Sequence, residues 1–286
     1  KVLLTDTEFA PVIQEALHQC KGNPLVVDID DSEGPGGERL GSILYDEFLA
    51  EGDPNYASNF PSDEWDAISL NYTSGTTGEP KGVMVEHRSV ANLVLSQRSY
   101  FNLNEKDRVL QYFSIAFDVF ILDILNAFLA GACLFIVPKF IREDKDQVLR
   151  YLVKYKITFM RVPAALLTCL QYQAMPFLKV IVTGGELCDQ SVLDKWSENR
   201  LLINEYGPTE CTICATLFSY TCGSLNSVIG KPVENCHIYI LDEDGAEVTE
   251  GKIGELHIGG VGLARGYLNK PLLTNDRFIY TYLVDT

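Results

Sequence analysis

Positive charge is what this sequence most lacks. Twenty-three lysines and arginines stand against 39 aspartates and glutamates, a formal net charge of −16 over 286 residues. A field of that sign repels phosphate backbones and anionic lipid surfaces, so nucleic acid and membrane are poor partners. Any polyanionic ligand then needs a local pocket of cations or amides. The start, KVLLTDTEF, does not have the form of a signal peptide, with neither its charge nor its apolar run. The expected compartment is the cytoplasm. No apolar stretch is uninterrupted: the longest, Ile115 to Pro138, carries Asp118, Asp123 and Asn126 and is divided at Gly131. Acids at bilayer depth are costly, so this stretch is expected to be a buried helix followed by a strand.

Paired metal or redox cysteines are absent as well. There are eight cysteines, several of them inside apolar runs, and a chain of this size is expected to keep them as reduced thiols. Cys211 and Cys214 have CxxC spacing without a second pair, which suits core or pocket-wall thiols better than a zinc site. There is no low-complexity tract and no internal repeat.

What is present is the makeup of a globular protein, 47% hydrophobic and 22% charged, with length for one or two domains. Strand-like KVLLT and PLVVDID flank a helix-like EFAPVIQEALHQC. Ser89 is placed to cap a helix with apolar positions at Val90, Leu93, Val94 and Phe101. DILNAFLAG closes at Gly131, and ACLFIVP follows as a strand. The helix DQVLRYLVKYK, the strands ITFMRVP and LKVIVTGGE, the helix DQSVLDKWSE and the strand RLLINEYG continue the alternation. That order predicts an α/β fold, with mostly parallel sheets flanked by helices. Ligands in such folds bind beyond the carboxyl ends of strands, where VTGGE and NEYGPTE fall. After Ser227 the pattern shifts to short alternating strands around the turn signal Asp244-Gly245. The expected division is an α/β core over 1–226 and a small β-rich subdomain over 227–286.

One stretch concentrates small polar residues: YTSGTTGEPKGVMVEHRS, from Tyr72 to Ser89. It follows the strand-like AISLNY and precedes a helix. Glycines admit a ligand to the backbone amides, hydroxyls add donors, and lysine adds a point charge, so the stretch is suited to cradle phosphate. It is not a Walker loop, since five residues after Gly75 stands Pro80 and Lys81 is followed by Gly82.

This stretch closely resembles the signature loop of the adenylate-forming (AMP-binding) superfamily. NEYGPTECTICAT (204–216) and GELHIGGVGLARGYLNKP (254–271) agree in order and look most like the adenylation domain of a nonribosomal peptide synthetase. The part around PSDEWDAISLNYTSGTTG is closer to fatty-acyl synthetases. The resemblance covers nearly the whole chain. It implies that a carboxylate, here an amino acid's, attacks the α-phosphate of ATP with Mg²⁺, pyrophosphate leaves, and the acyl group passes to a carrier protein's phosphopantetheine thiol.

By that resemblance Thr73, Ser74, Gly75, Thr76, Thr77 and Gly78, with Lys81, clamp the β- and γ-phosphates. Asn204 and Tyr206 meet the adenine, and Gly184, Gly185 and Glu186 wall it. Thr209 contacts the α-phosphate, and Glu210 helps to hold Mg²⁺. Asp118 is either a helix N-cap or the partner of the substrate's α-ammonium, and the resemblance favours the second. The remaining pocket positions are Val119, Leu122, Arg161, Val182, Gly184, Glu205, Ile213 and Cys214. Arg161 and Glu205 must pair with each other or with the substrate, which leans toward a polar or charged amino acid. The family's Tyr-x-Thr-Gly-Asp segment, its C-terminal lysine-bearing domain and its earliest N-terminal segments are not found in the sequence. A slow or impaired nucleotide-binding core is therefore one alternative expectation, and an acyl- or aryl-CoA ligase is another.

Overall fold

A computed structural model of the chain describes residues 81–279 without a break and, before them, strand segments and scattered positions between 2 and 73. Residues 1–60 and 61–286 form two compact units. In the first, β1 (Val2–Asp6), β2 (Leu25–Ile29) and β3 (Ile43–Leu44) form a parallel sheet in that order. Most of the helix expected over EFAPVIQEALHQC lies outside the described residues.

The second unit opens with an antiparallel hairpin of β4 (Ala67–Thr73) and β5 (Lys81–Glu86), in which Thr73 pairs with Lys81. The glycine-hydroxyl loop therefore joins two strands. The expectation of a loop leading straight into a helix is corrected by β5, whose apolar run Val83, Met84, Val85 forms a strand first. Helix α1 (His87–Phe101) follows at once, with Glu86 as N-cap residue and no side-chain cap. Ser89, expected as the cap, is fully buried inside the helix and donates its hydroxyl to Val261 O at 2.7 Å.

The alternation then runs β6 (Arg108–Gln111), α2 (Phe120–Ala130), β7 (Cys133–Ile136), α3 (Lys139–Arg142), α4 (Lys145–Tyr155), β8 (Phe159–Arg161), α5 (Ala164–Cys169), β9 (Val180–Gly184), α6 (Gln190–Trp196) and β10 (Leu201–Tyr206). Gly131 ends α2 in the left-handed region, at φ 66°, as a helix-terminating glycine does. Strands β11 (Thr216–Tyr220) and β12 (Lys231–Pro232) complete a seven-stranded sheet in the order β12-β11-β10-β9-β8-β6-β7. Its five strands β6 to β10 are parallel, and β11 and β12 run antiparallel at one edge. Beyond Ser227, β13 (Cys236–Leu241) and β14 (Glu255–Gly260) form a small antiparallel sheet, and α7 (Pro271–Arg277) follows.

Strand side chains alternate between faces. Val109, Phe159, Val182 and Ile203 pack in one core with Val90, Leu93, Val94 and Phe101 of α1 and with Leu122 of α2. Leu110, Met160, Ile181 and Leu202 pack in a second core with α4, α5 and α6. The sheet is doubly wound, and its order reverses between β6 and β8. Among the described residues no helix is long and apolar enough to cross a membrane.

Candidate active site

The same alternation dictates which side chains share the α1–α2 face at the carboxyl ends of the strands. Arg161 follows the parity of Phe159, Gly184 that of Val182, and Glu205 that of Ile203. Asn204 and Tyr206 have the opposite parity, and Asn204 donates to Val228 O at 2.9 Å. Gly184 has no room for a side chain, because a Cβ there would stand 2.0 Å from Glu205 O. Gly185 and Glu186 are exposed, and Glu186 accepts from the amide of Ala165 at the start of α5, at 2.9 Å.

Arg161 is the centre of a buried polar cluster. Its side chain is 1% exposed. Nη1 donates to Asp123 Oδ1 at 2.6 Å, Nη2 donates to Gln97 Oε1 at 3.1 Å, and Nε makes an ion pair with Glu205 Oε1 at 3.0 Å. Asn126 donates to the same Gln97 oxygen at 3.0 Å, and the rings of Phe101 and Phe159 lie 5.7 and 5.6 Å from the guanidinium carbon. Arg161 and Glu205 thus pair with each other. The second oxygens of Glu205 and Asp123 are buried without a hydrogen bond. Burial pushes the Asp123 carboxyl up; Arg161 opposes the shift and Glu205 reinforces it, and the result is about 7. Asp123, Gln97 and Asn126 were not among the site residues expected from sequence. Asp123 and Asn126 stand three apart on α2, and that i, i+3 polar pair inside an apolar helix was the available signal.

Asp118 lies just before α2 and is half-buried. Its carboxylate takes a hydrogen bond from the Thr209 hydroxyl and feels the charge of Glu210. Burial raises its pKa, and Glu210 pushes the same way. Glu205 in turn feels the charge of Asp118. Val119 is half-buried, while Leu122, Val182, Ile213 and Cys214 are buried in the same core.

Thr209 and Glu210 stand on a 3-10 turn, Thr209–Cys211, beyond β10. The chain leaves it through Thr212 and Ile213, both left-handed with φ 56° and 74°. That conformation is unusual for β-branched residues and is held only where the surroundings enforce it. Here Thr212 donates its hydroxyl to Gly262 O at 2.6 Å.

Lys81, first residue of β5 and 7% exposed, reaches this turn with Nζ 3.9 Å from Glu210 Oε1. Tyr267, also missed from sequence, donates its hydroxyl to that oxygen at 2.6 Å. Ser74, Gly75, Thr76, Thr77 and Gly78 lie outside the described residues, and of Thr73 only its place in the hairpin is described. Among the described residues no three His, Cys, Asp or Glu side chains are arranged to hold a metal, and seven cysteines are free thiols, Cys211 and Cys214 among them.

Three comparisons fit this geometry. Bacitracin synthase 3 of Bacillus licheniformis is 41% identical over 214 residues, 75% of this chain and 3% of that protein. Tyrocidine synthase 1 of Brevibacillus parabrevis is 40% identical over 222 residues, 77% of this chain and 20% of that protein. The chain therefore spans a small part of these relatives' length. The crystal structure of the Vibrio cholerae adenylation domain AlmE, in complex with glycyl-adenosine-5'-phosphate, superposes with a TM-score of 0.76 at 25% identity. That superposition covers 97% of this chain and 56% of the other. The family model described as AMP-binding enzyme matches residues 1–268, and the chain belongs to that family of adenylate-forming ligases.

Proposed function

We propose that this chain activates the carboxylate of an amino acid as an aminoacyl-adenylate, releasing pyrophosphate, for transfer to the phosphopantetheine thiol of a carrier protein. One observation carries the amino-acid part. The Asp118 carboxylate is half-buried beside Thr209, among Glu205 and Glu210, and has no cationic partner among the described residues. A carboxylate in that position calls for a cation, and a substrate α-ammonium supplies one. An acyl- or aryl-CoA ligase substrate would leave it uncompensated.

The remaining roles rest on the resemblance to the adenylate-forming family. The loop between Thr73 and Lys81 holds the phosphates of ATP, Thr209 meets the α-phosphate, and Asn204, Tyr206 and the 184–186 turn hold the base. An anion must approach a polyanion here, so Lys81 and the loop amides neutralise charge and keep the attack in line. Glu210 keeps Oε2 without a hydrogen-bond partner among the described residues. A free carboxylate oxygen is a hard donor, so Glu210 fits a Mg²⁺ ion held by one protein carboxylate and the phosphates. When bound, that ion supplies further neutralisation of the phosphate charge.

The buried cluster sharpens the side-chain class. The Arg161 charge is already met by Asp123 and Glu205, so it does not call for an acidic substrate. Glu205 retains an unpartnered oxygen, which favours a side chain carrying a hydrogen-bond donor.

The test is calorimetric titration of ATP and amino acids, run beside pyrophosphate exchange across all amino acids. Asp118→Ala is expected to lower amino-acid-dependent exchange at least about thirtyfold, as loss of one partner of a buried charge pair costs about 2 kcal/mol or more. ATP binding should persist. Unchanged exchange in the variant overturns the reading, and binding without any exchange supports a nucleotide-binding module instead.

A further inference from the structure

We propose that Tyr267 is a positioning residue that aims the Glu210 carboxylate at the cation–phosphate site; this rests on the role of Glu210 proposed above. The hydroxyl of Tyr267 donates to Glu210 Oε1 at 2.6 Å, and the Lys81 ammonium lies over the Tyr267 ring, 5.1 Å from its centre. Both functional groups therefore lean on one aromatic side chain that is 4% exposed. With Oε1 taken by Tyr267 and Lys81, Oε2 is the oxygen left to face a cation.

The tyrosine is itself held from several sides. Its segment runs beside β5: Arg265 donates its amide to Met84 O at 3.0 Å, and Leu268 donates to Gly82 O at 2.8 Å. The amide of Ala264 donates to Glu210 O at 2.9 Å, so the same segment grips the backbone of the 3-10 turn. Thr274 of α7 accepts from the Tyr267 amide at 2.9 Å. Gly266, with φ 122°, lets α7 pack this closely, since a Cβ there would stand 2.3 Å from Thr274 Cγ2. A rigid donor on one carboxylate oxygen restricts rotation of the other. That is how residues behind a metal ligand govern affinity, with losses of about 10- to 100-fold when they are removed.

The test uses Mn²⁺ as the probe, with electron paramagnetic resonance reporting its binding to the full chain in the presence of ATP. Tyr267→Phe keeps the ring beneath Lys81 and removes only the donor. It is expected to weaken Mn²⁺ binding about tenfold or more, raise the metal concentration needed for half-maximal exchange, and leave KM for the amino acid unchanged. Thr274→Ala frees the Tyr267 amide but keeps the hydroxyl, and is expected to weaken Mn²⁺ binding less, in the same direction. This second variant keeps the proposal testable if Tyr267→Phe does not fold. Mn²⁺ affinity unchanged in the variants, while Glu210→Gln lowers it, overturns the role of Tyr267 alone. Affinity unchanged in Glu210→Gln overturns the role of Glu210 and this inference with it.

Discussion

Two clusters in residues 61–286 each set a cation against a glutamate, and they are built in opposite ways. Around Arg161 the cation is sealed, 1% exposed, with contacts at 2.6, 3.0 and 3.1 Å to three side chains. Around Lys81 the ion pair is 3.9 Å long, and its glutamate is 22% exposed. A guanidinium presents a rigid fork of donors and suits a fixed, many-partner site; an ammonium is a point charge on a flexible stem and changes partners readily. The sealed cluster ties α1 and α2 to the strands β8 and β10. The loose pair stands at the start of β5, where under the proposed function a cation must be free to meet an incoming anion. Closeness of a charge pair therefore marks permanence in this fold, and a longer separation marks availability.

The comparison breaks most visibly at Arg161. Its removal leaves Asp123 and Glu205 buried without a counter-charge, which costs about 3–5 kcal/mol. Arg161→Met is expected to lower the unfolding free energy by that amount in urea denaturation. The loss should be greater at pH 8 than at pH 5, where the two acids can be protonated. A loss under about 1 kcal/mol would mean that the cluster is not sealed.

A smaller effect separates the members of the cluster by pH. The Asp123 carboxyl is raised to about 7 by burial, with Arg161 opposing and Glu205 adding to the shift. The unfolded chain releases this proton near pH 4 and the native chain near pH 7. In that window the native state binds more protons, so stability falls as pH rises from about 4 to about 7 and is level above. Asp123→Asn is neutral throughout and is expected to remove a fall on the order of 2 kcal/mol between pH 5 and pH 7. Glu205, raised by the same burial, leaves a residual slope. Equal slopes in the two proteins would place the titration elsewhere.

Arg161, Val182, Gly184 and Glu205 were expected together from the family resemblance, and strand periodicity gives the physical reason. Once ITFMRVP, LKVIVTGGE and RLLINEYG are strands, Arg161, Val182, Gly184 and Glu205 fall on one side. What was not legible lies across elements. Gln97 meets Arg161 only because α1 packs against the sheet, 64 residues away in sequence. Tyr267 meets Glu210 across 57 residues, and no local pattern encodes that approach. Asp123 was legible as a break in an apolar run and illegible as a partner for a guanidinium, because Arg161 stands 38 residues on, at the end of β8. The start of α1 shifted for a related reason. An N-cap serine is a local rule, and a strand running directly into the helix overrode it, leaving Ser89 to bond Val261 instead.

The smallest expected effect sharpens the contrast from the loose side. Glu210→Gln removes the 3.9 Å attraction to Lys81 but keeps a side-chain oxygen that accepts the Tyr267 hydroxyl. At 3.9 Å the pair is at the limit of an ion pair and contributes about 0–1 kcal/mol, part of which salt screens. The variant is expected to unfold within about 1 kcal/mol of the parent in urea, and 0.5 M salt should erase part of that difference. Glu205→Gln, the same chemical change, removes a counter-charge 3.0 Å from a buried guanidinium and should cost clearly more. Should the two variants be equally destabilised, the Lys81 pair is as permanent as the Arg161 cluster, and the distinction between a fixed cluster and an exchangeable clasp is lost.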